Sequence, residues 1–238
     1  MVVFRQKTKK GTNQMFSPSV IFSSAINIAE LAAFAYGAMY FFTHRTPMYF
    51  KILICAVGCY AMSDVFCNLL NIFSRETHFC SGIATLGYFG CFLFMFSANY
   101  GEFDSLVDDK SPALRKYSAV ALAAPLLFFG GGIVVFFRVL HVAGAWQAFI
   151  FFLPYIPASL ASYFNFKHMI MPDMNFGFIK GVRRCNISAL LLYAFKTASD
   201  IAYIADSTAV RGVLSALICV CLAVIAVSAK RGYVKCWA

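Results

Sequence analysis

Five ionisable side chains lie inside strongly apolar stretches of this sequence: Glu30, Lys51, Asp64, Lys196 and Asp200. A charge at the centre of a bilayer costs about 3 kcal/mol or more unless it is paired or hydrated, so ionisable groups at that depth usually bind ions, protons or ligands. Lys51 stands at the start of its apolar stretch and can extend its ammonium group to the membrane surface. The other four residues are therefore candidates for chemistry inside the membrane.

The two aspartates belong to a repeated polar pattern. Its two copies are Tyr60 with Ser63 and Asp64, and Tyr193 with Ser199 and Asp200. Spacings of four or seven residues place side chains on one face of an α-helix, so each tyrosine should lie on the face of its aspartate. Lys196 precedes Asp200 by four residues, which predicts an ion pair within one helix. Asp64 and Glu30 then remain as the acids that share or bind a proton or a cation.

These residues predict one polar site around a hydrated cavity in the interior of a helical bundle. Its expected ligand- or ion-binding members are Glu30, Tyr60, Ser63, Asp64, Asn68, Tyr193, Lys196, Ser199 and Asp200. A competing interpretation is a polar clasp, in which the same side chains fix helix packing without chemistry. The four histidines lie in connections or at helix ends, at spacings unsuited to a metal, and no glycine-rich phosphate loop occurs, so we expect no metal and no other cofactor.

The elements that must position this site are seven apolar stretches, each of about 20 residues, the length that crosses a hydrocarbon core. Because 61% of the 238 residues are hydrophobic and only 13% are charged, we expect an all-α, polytopic transmembrane bundle without a separate soluble domain. The predicted helices cover residues 19–42, 50–73, 79–99, 117–137, 143–166, 185–206 and 208–229. They leave a basic leader at 1–18, one transmembrane domain at 19–229 and a basic tail at 230–238. Pro125, Gly130 to Gly132, Pro154 and Pro157 mark places where a helix bends or approaches a neighbour closely.

The basic residues of the connections predict the orientation of the chain. The odd-numbered connections and the tail carry 12 Lys and Arg residues, whereas the even-numbered connections carry three. Lys and Arg resist translocation, so the count favours an outside N-terminus and a cytoplasmic C-terminus, most naturally in the plasma membrane. Four basic residues of the leader oppose this orientation, and a translation start at Met15 would remove them. The net charge of +10 then reflects topology and not binding to nucleic acid. The expected partners are the lipid bilayer and a small-molecule or lipid ligand, and the oligomeric state stays open.

Transport is the first function that this pattern favours. Helices one to three overlay on helices five to seven, with helix four as the linker, and the overlay places Asp64 opposite Asp200. Parallel three-helix repeats of this kind, in a 3+1+3 division, bind substrates between their halves. The layout is similar to that of the seven-helix sugar-transporter and PQ-loop class, and it implies proton- or cation-linked transport of a small solute.

Lipid hydrolysis is an alternative function. The run from Ser63-Asp64 through Phe79 and Gly82 to the aromatic stretch 88–96, followed by Ser199-Asp200, resembles the YhhN-type lysoplasmalogenase family. That resemblance implies cleavage of the vinyl-ether bond of lysoplasmalogens by two membrane-embedded catalytic aspartates, matched here by Asp64 and Asp200. One carboxyl group would protonate the vinyl ether while the other activates water. Seven predicted helices, where that family has eight, are a departure from its pattern.

A sensory function is the third possibility. Seven helices with an outside N-terminus and no catalytic domain suit a receptor or a membrane subunit that signals to another chain. The basic tail from Lys230 to Lys235 would then contact anionic lipid. Whether the protein is an enzyme is left open by the sequence.

Overall fold

The computed structural model describes residues 18–39, 41, 46–73, 77–101, 104, 112, 115–171, 179–205 and 207–235; residues 1–17 of the basic leader and 236–238 of the tail lie outside them. Within these residues the chain is helical and has no β-strand. The helices are α1 (Pro18–Ala38), α2 (Met48–Phe73), α3 (Thr77–Asn99), α4 (Arg115–Ala121), α5 (Ala123–Ala143), α6 (Ala145–Phe152), α7 (Tyr155–Ile170), α8 (Ile179–Ile204) and α9 (Thr208–Lys235).

These helices form seven segments long and apolar enough to cross a membrane, counted within the described residues. The fourth segment joins α4 to α5 and the fifth joins α6 to α7, whereas each of the others is one helix. Large apolar side chains such as Leu126, Leu127 and Trp146 are exposed on the outside of the bundle, as a lipid-facing surface requires. The expected class, an all-α membrane bundle of seven helices, is confirmed.

Proline and glycine interrupt the fourth and fifth segments, which the sequence predicts as continuous helices. Pro125 removes the N–H that would bond to residue 121, and the helix breaks at Leu122. Pro154 does the same in the fifth segment, between α6 and α7. Gly144, with φ of 92°, turns the chain from α5 into α6, so the fourth segment runs on to Ala143, well past its predicted end at residue 137.

Other helix boundaries also differ from the predictions, and the fifth segment ends at Ile170, four residues past its expected end. The first helix ends at Ala38, four residues before its expected end. The sixth segment, α8, begins at Ile179, six residues before the expected start at Cys185. The last helix continues to Lys235 through most of the expected tail. Polar residues at the ends of apolar stretches extend helices because a helix satisfies its own backbone hydrogen bonds whatever its side chains.

Six of the seven segments form a ring, and the fourth packs on its outside. Around the ring, α1 contacts α2, α2 contacts α3, α3 contacts the fifth segment, α7 contacts α8, α8 contacts α9, and α9 returns to α1. The fourth segment packs against the fifth segment and α8. The largest buried side chains, among them Phe50, Met95 and Leu192, fill the space between α2, α3 and α8. Residues of α1, α2, α3, α7 and α8 therefore face one interior.

Candidate functional site

Glu30 on α1 is completely buried, with no exposed side-chain surface. Among the described residues no hydrogen-bond donor reaches either of its carboxyl oxygens. Its polar neighbour is the carboxyl group of Asp64 on α2, which lies within hydrogen-bonding reach. Asn27, one turn before Glu30, donates to the backbone oxygen of Asp64 at 3.3 Å and so holds α1 against α2 at this level. Two carboxyl groups thus meet inside the bundle without a cation between them.

Tyr88 on α3 connects Asp64 to the other half of the bundle. Its hydroxyl group donates a hydrogen bond to Oδ1 of Asp64. The ammonium group of Lys196 on α8 lies over the ring of the same tyrosine, 4.5 Å from its centroid, a favourable position for a cation. Tyr60 packs against this ring at 5.0 Å between centroids. Tyr88 therefore separates the acid pair from the lysine while contacting both.

Asp200 completes the polar chain. Lys196 Nζ lies 2.5 Å from its Oδ1, which is the ion pair that the four-residue spacing predicts. The hydroxyl group of Tyr155, at the start of α7, donates to the other oxygen, Oδ2, at 2.8 Å. A Cβ atom on Gly132 would lie only 2.7 Å from Tyr155 Cβ, so this glycine allows α5 to approach α7 at the level of the tyrosine. Asp200 thus has a cation and a donor, whereas Glu30 has neither.

We call this group the acid cluster; its members are Glu30, Asp64, Tyr88, Tyr155, Lys196 and Asp200. It contains three carboxyl groups and one amine, drawn from α1, α2, α3, α7 and α8. Lys196 neutralises the Asp200 carboxylate, so the one amine of the cluster is not available to Glu30 and Asp64. The remaining carboxyl groups, Glu30 and Asp64, each need a proton or a bound cation to avoid a buried negative charge.

Asn68 and Ser63, which are predicted for this site, form hydrogen bonds outside the acid cluster. Asn68 binds Ser23 at 3.0 Å and Ser24 at 3.1 Å, joining α2 to α1. Ser63 donates to the backbone oxygen of Cys59, in its own helix. Ser199 is half-buried on α8. These contacts are of the kind that the clasp interpretation describes.

Tyr193 also lies outside the acid cluster, in a second polar group. It accepts a hydrogen bond from Asn165 Nδ2 at 2.8 Å and contacts Met95 Sδ at 3.4 Å. Tyr49 donates to Asn186 Oδ1 at 3.2 Å, and Asn99 and Tyr193 are its polar neighbours. We call these residues the amide cluster: Tyr49, Asn99, Asn165, Asn186 and Tyr193. All five are at most 6% exposed.

The sequence interpretation missed Tyr88 and Tyr155 as site residues. Tyr88 lies in an aromatic stretch in which nothing distinguishes it from its phenylalanine neighbours. Tyr155 directly follows Pro154, where the helix breaks. Pro154 and Gly132 were the features of the sequence that could have drawn attention to this tyrosine, since Gly132 lies against it in the structure. Across-bundle partners of this kind depend on helix rotation, which spacing within one helix cannot supply.

A third polar group lies at the end of the bundle where α3 and α7 terminate. Asp104, in the connection after α3, accepts from Lys167 Nζ at 2.7 Å, and His168 Nε2 lies 3.0 Å from the same oxygen. Partial burial alone would raise the pKa of Asp104, but hydrogen bonds from His168 and Lys167 outweigh it and leave the pKa below its usual value. His168 Nδ1 lies 3.2 Å from Asn99 Oδ1, so this group adjoins the amide cluster.

Within the described residues, histidine, cysteine and acidic side chains do not gather in threes as a metal site. No family model, curated protein or solved structure matches the chain. Functional inference therefore depends on the geometry of the two buried clusters.

Proposed function

We propose that this integral membrane protein transports a small solute across the bilayer together with a proton or another cation. The observation that carries the proposal is the charge of the acid cluster. Lys196 is paired with Asp200. Glu30 and Asp64 adjoin each other, and the Tyr88 hydroxyl group donates to Asp64 while no donor among the described residues reaches Glu30. In a low-dielectric interior this pair is stable when a proton or cation is bound and strained when it is empty. A site whose stability depends on a bound ion links ion binding to conformation.

The packing of the segments supports the same proposal. The contacts among segments one, two and three can be compared with those among segments five, six and seven. The contact between α1 and α2 corresponds to the contact between the fifth segment and α8. In the same way, the contact of α2 with α3 corresponds to that of α8 with α9, and the contact of α3 with the fifth segment corresponds to that of α9 with α1. All of these contacts are present, and the exchange of the two sets of segments relates α2, which carries Asp64, to α8, which carries Asp200. Transporters built from parallel repeats bind their substrates at such an interface.

Charge movement after an ion jump tests the proposal without a known solute. The protein is reconstituted in liposomes on a solid-supported membrane, and the bath is switched in pH or, separately, in Na⁺ concentration. We expect a transient current in the wild type and its loss in the Asp64→Asn variant. The responsive switch identifies the ion. Asp104→Asn is the matched control, because it makes the same change outside the acid cluster, and its current per folded protein should be retained.

Absence of a current after both switches, in wild-type protein shown to be folded, would overturn the transport proposal. A current that Asp64→Asn leaves unchanged would remove the acid cluster from it. Either result would favour a polar clasp that holds α1, α2, α3, α7 and α8 together.

A second candidate function, hydrolysis of lysoplasmalogens, is favoured by one specific observation. Asp64 and Asp200 converge from α2 and α8 and have unequal partners, since Asp200 has Lys196 and Tyr155 while Asp64 has Tyr88. Acid-base hydrolysis of a vinyl ether needs such a difference, one carboxyl group as proton donor and one carboxylate to activate water. Water addition and collapse of the hemiacetal would release a fatty aldehyde and the glycerophosphodiester that carries the headgroup.

Incubation with a lysoplasmalogen in mixed micelles distinguishes the two functions. A hydrolase releases aldehyde at a rate that falls at least a hundredfold in Asp64→Asn and in Asp200→Asn. A transporter releases none and retains its ion-dependent current.

A further inference from the structure

The amide cluster contains two unpartnered polar atoms that the acid cluster does not explain. Asn165 Oδ1 and Asn186 Nδ2 are fully buried and have no hydrogen-bond partner among the described residues. Asn165 is 0% exposed and Asn186 is 1% exposed. Buried polar atoms in native proteins are nearly always paired, so two in one cluster call for a missing partner.

Reassigning the amide orientations does not remove these two atoms. Nitrogen and oxygen of an asparagine side chain are assigned from hydrogen bonds. One end of each amide is hydrogen-bonded to a tyrosine: Asn165 to Tyr193 and Asn186 to Tyr49. Because a tyrosine hydroxyl group both donates and accepts, turning either amide only moves the unpartnered atom to the other end. The cluster therefore presents two unused hydrogen-bonding positions in every assignment.

We propose that the amide cluster binds an uncharged polar solute that carries both a hydrogen-bond donor and an acceptor. This inference rests on the proposed transport function and names the class of its solute. With the amide orientations of the structure, the solute would donate to Asn165 and accept from Asn186; turning one amide exchanges donor and acceptor at that position.

The composition of the cluster argues for an uncharged ligand. Its members are amides and phenols, and none of them can neutralise a full charge in a buried site. Of the charged groups beside the cluster, His168 and Lys167 are engaged by Asp104, and Arg183, three residues before Asn186, reaches the backbone oxygen of Met171. The aromatic rings of Phe92 and Phe128 pack edge-on against Tyr193, at 5.2 and 5.6 Å between centroids, and give the cluster an apolar flank.

Ordered water is the competing occupant, since a water molecule also donates and accepts. If ordered water fills the cluster, the cluster has no open position with which to bind one uncharged compound in preference to another. Selective binding of a solute therefore separates the two cases.

Equilibrium dialysis of the purified protein with radiolabelled probes tests the proposal. Uracil supplies adjacent N–H and C=O groups, and mannitol supplies hydroxyl groups. Orotate is uracil with an added carboxylate and therefore serves as the charged counterpart of uracil. We expect saturable binding of uracil or mannitol, at least tenfold weaker in Asn165→Leu and in Asn186→Ser. Asn68→Leu is the matched control, because Asn68 lies in the contact between α1 and α2, and should bind as the wild type does. All variants are first shown to be folded by circular dichroism and gel filtration.

Each outcome decides the question. Saturable binding that depends on Asn165 or Asn186 supports the site, and the better probe shows whether amide or hydroxyl chemistry is preferred. Absence of binding of both uncharged probes to folded wild-type protein, or tighter binding of orotate than of uracil, would overturn it. If the ion jumps give no current while uracil or mannitol still binds, transport fails and the binding site stands, so the two failures are distinguishable.

Discussion

Removal of the Lys196 ammonium group by Lys196→Met should destabilise the protein strongly. The substitution preserves most of the side-chain volume but leaves the Asp200 carboxylate without its cation. Loss of one partner of a buried ion pair costs about 3–5 kcal/mol. The two side chains are 13% and 12% exposed, which favours the lower end, about 3 kcal/mol. For a chain of this size that corresponds to a fall in Tm of roughly 6–12 °C.

The double variant Lys196→Met, Asp200→Leu distinguishes a buried charge effect from simple loss of packing. Removing both charges eliminates the uncompensated carboxylate and leaves only the Tyr155 hydroxyl group without its acceptor, at a cost of about 1 kcal/mol. We therefore expect the double variant to be more stable than Lys196→Met by about 2 kcal/mol. Unfolding of the purified proteins in mixed micelles, followed by circular dichroism, measures the difference.

A double variant that is no more stable than Lys196→Met would refute this reasoning. It would mean that lysine and aspartate contribute independently, through packing or through other partners. Lys51→Met, at the membrane-surface end of α2, serves as the control for the change in side-chain chemistry and should lower Tm by no more than about 2 °C.

Three further predictions address other contacts of the interior. Gly87→Ala would place a methyl group on the Ser63 hydroxyl oxygen, so we expect the unfolding free energy to fall by about 1–3 kcal/mol. Adding Ser63→Ala should recover part of this stability, and no recovery would show that the backbone of α2 is the obstacle. Tyr155→Phe removes the donor to Asp200 and should cost about 1.5–3 kcal/mol, and an unchanged stability would show that another donor replaces it. For Asp104, whose pKa is lowered on folding, the stabilisation is complete above the unfolded pKa of about 3.9 and disappears as pH falls through the folded value. The difference in unfolding free energy between wild type and Asp104→Asn should therefore decline as pH falls below about 4, and a difference that stays constant from about pH 4 to about pH 2 would contradict the assignment.

Segments and local pairs were predictable from the sequence because their signals are local. The length of each apolar stretch indicates a membrane-spanning helix, and the four-residue spacing of Lys196 and Asp200 indicates their ion pair. The same kind of spacing says which side chains share a helical face, but it does not give their hydrogen-bond partners. Tyr193 shares a helix with Asp200 but bonds to Asn165, whereas the donor to Asp200 is Tyr155 from another segment.

The amide cluster was not predictable for a related reason. Single asparagines in apolar helices occur on α3, α7 and α8, and only the rotation of those helices brings Asn99, Asn165 and Asn186 into one region. Helix rotation depends on close approaches such as that of Gly132 to Tyr155, which involve distant parts of the chain. A helix that is apolar on nearly every side gives little periodicity from which to derive its rotation.

The two clusters occupy different depths of the bundle, and α8 connects them. Asn186 lies 18 residues before the end of α8 at Ile204, and Asp200 lies four residues before it. At about 1.5 Å per residue these positions are about 27 Å and about 6 Å from that end. Tyr193 and Lys196, one from each cluster, are only about 4.5 Å apart along the helix axis, so the two clusters adjoin along α8. A single rigid helix that carries residues of both sites transmits a tilt from one to the other, which is a physical route for coupling between ion and solute. The break at Pro154 separates α7, which holds Tyr155 and Asn165, from α6. Coupling by this route requires that protonation of Glu30 and Asp64 change the affinity for uracil or mannitol, and that solute binding change proton affinity by the same factor.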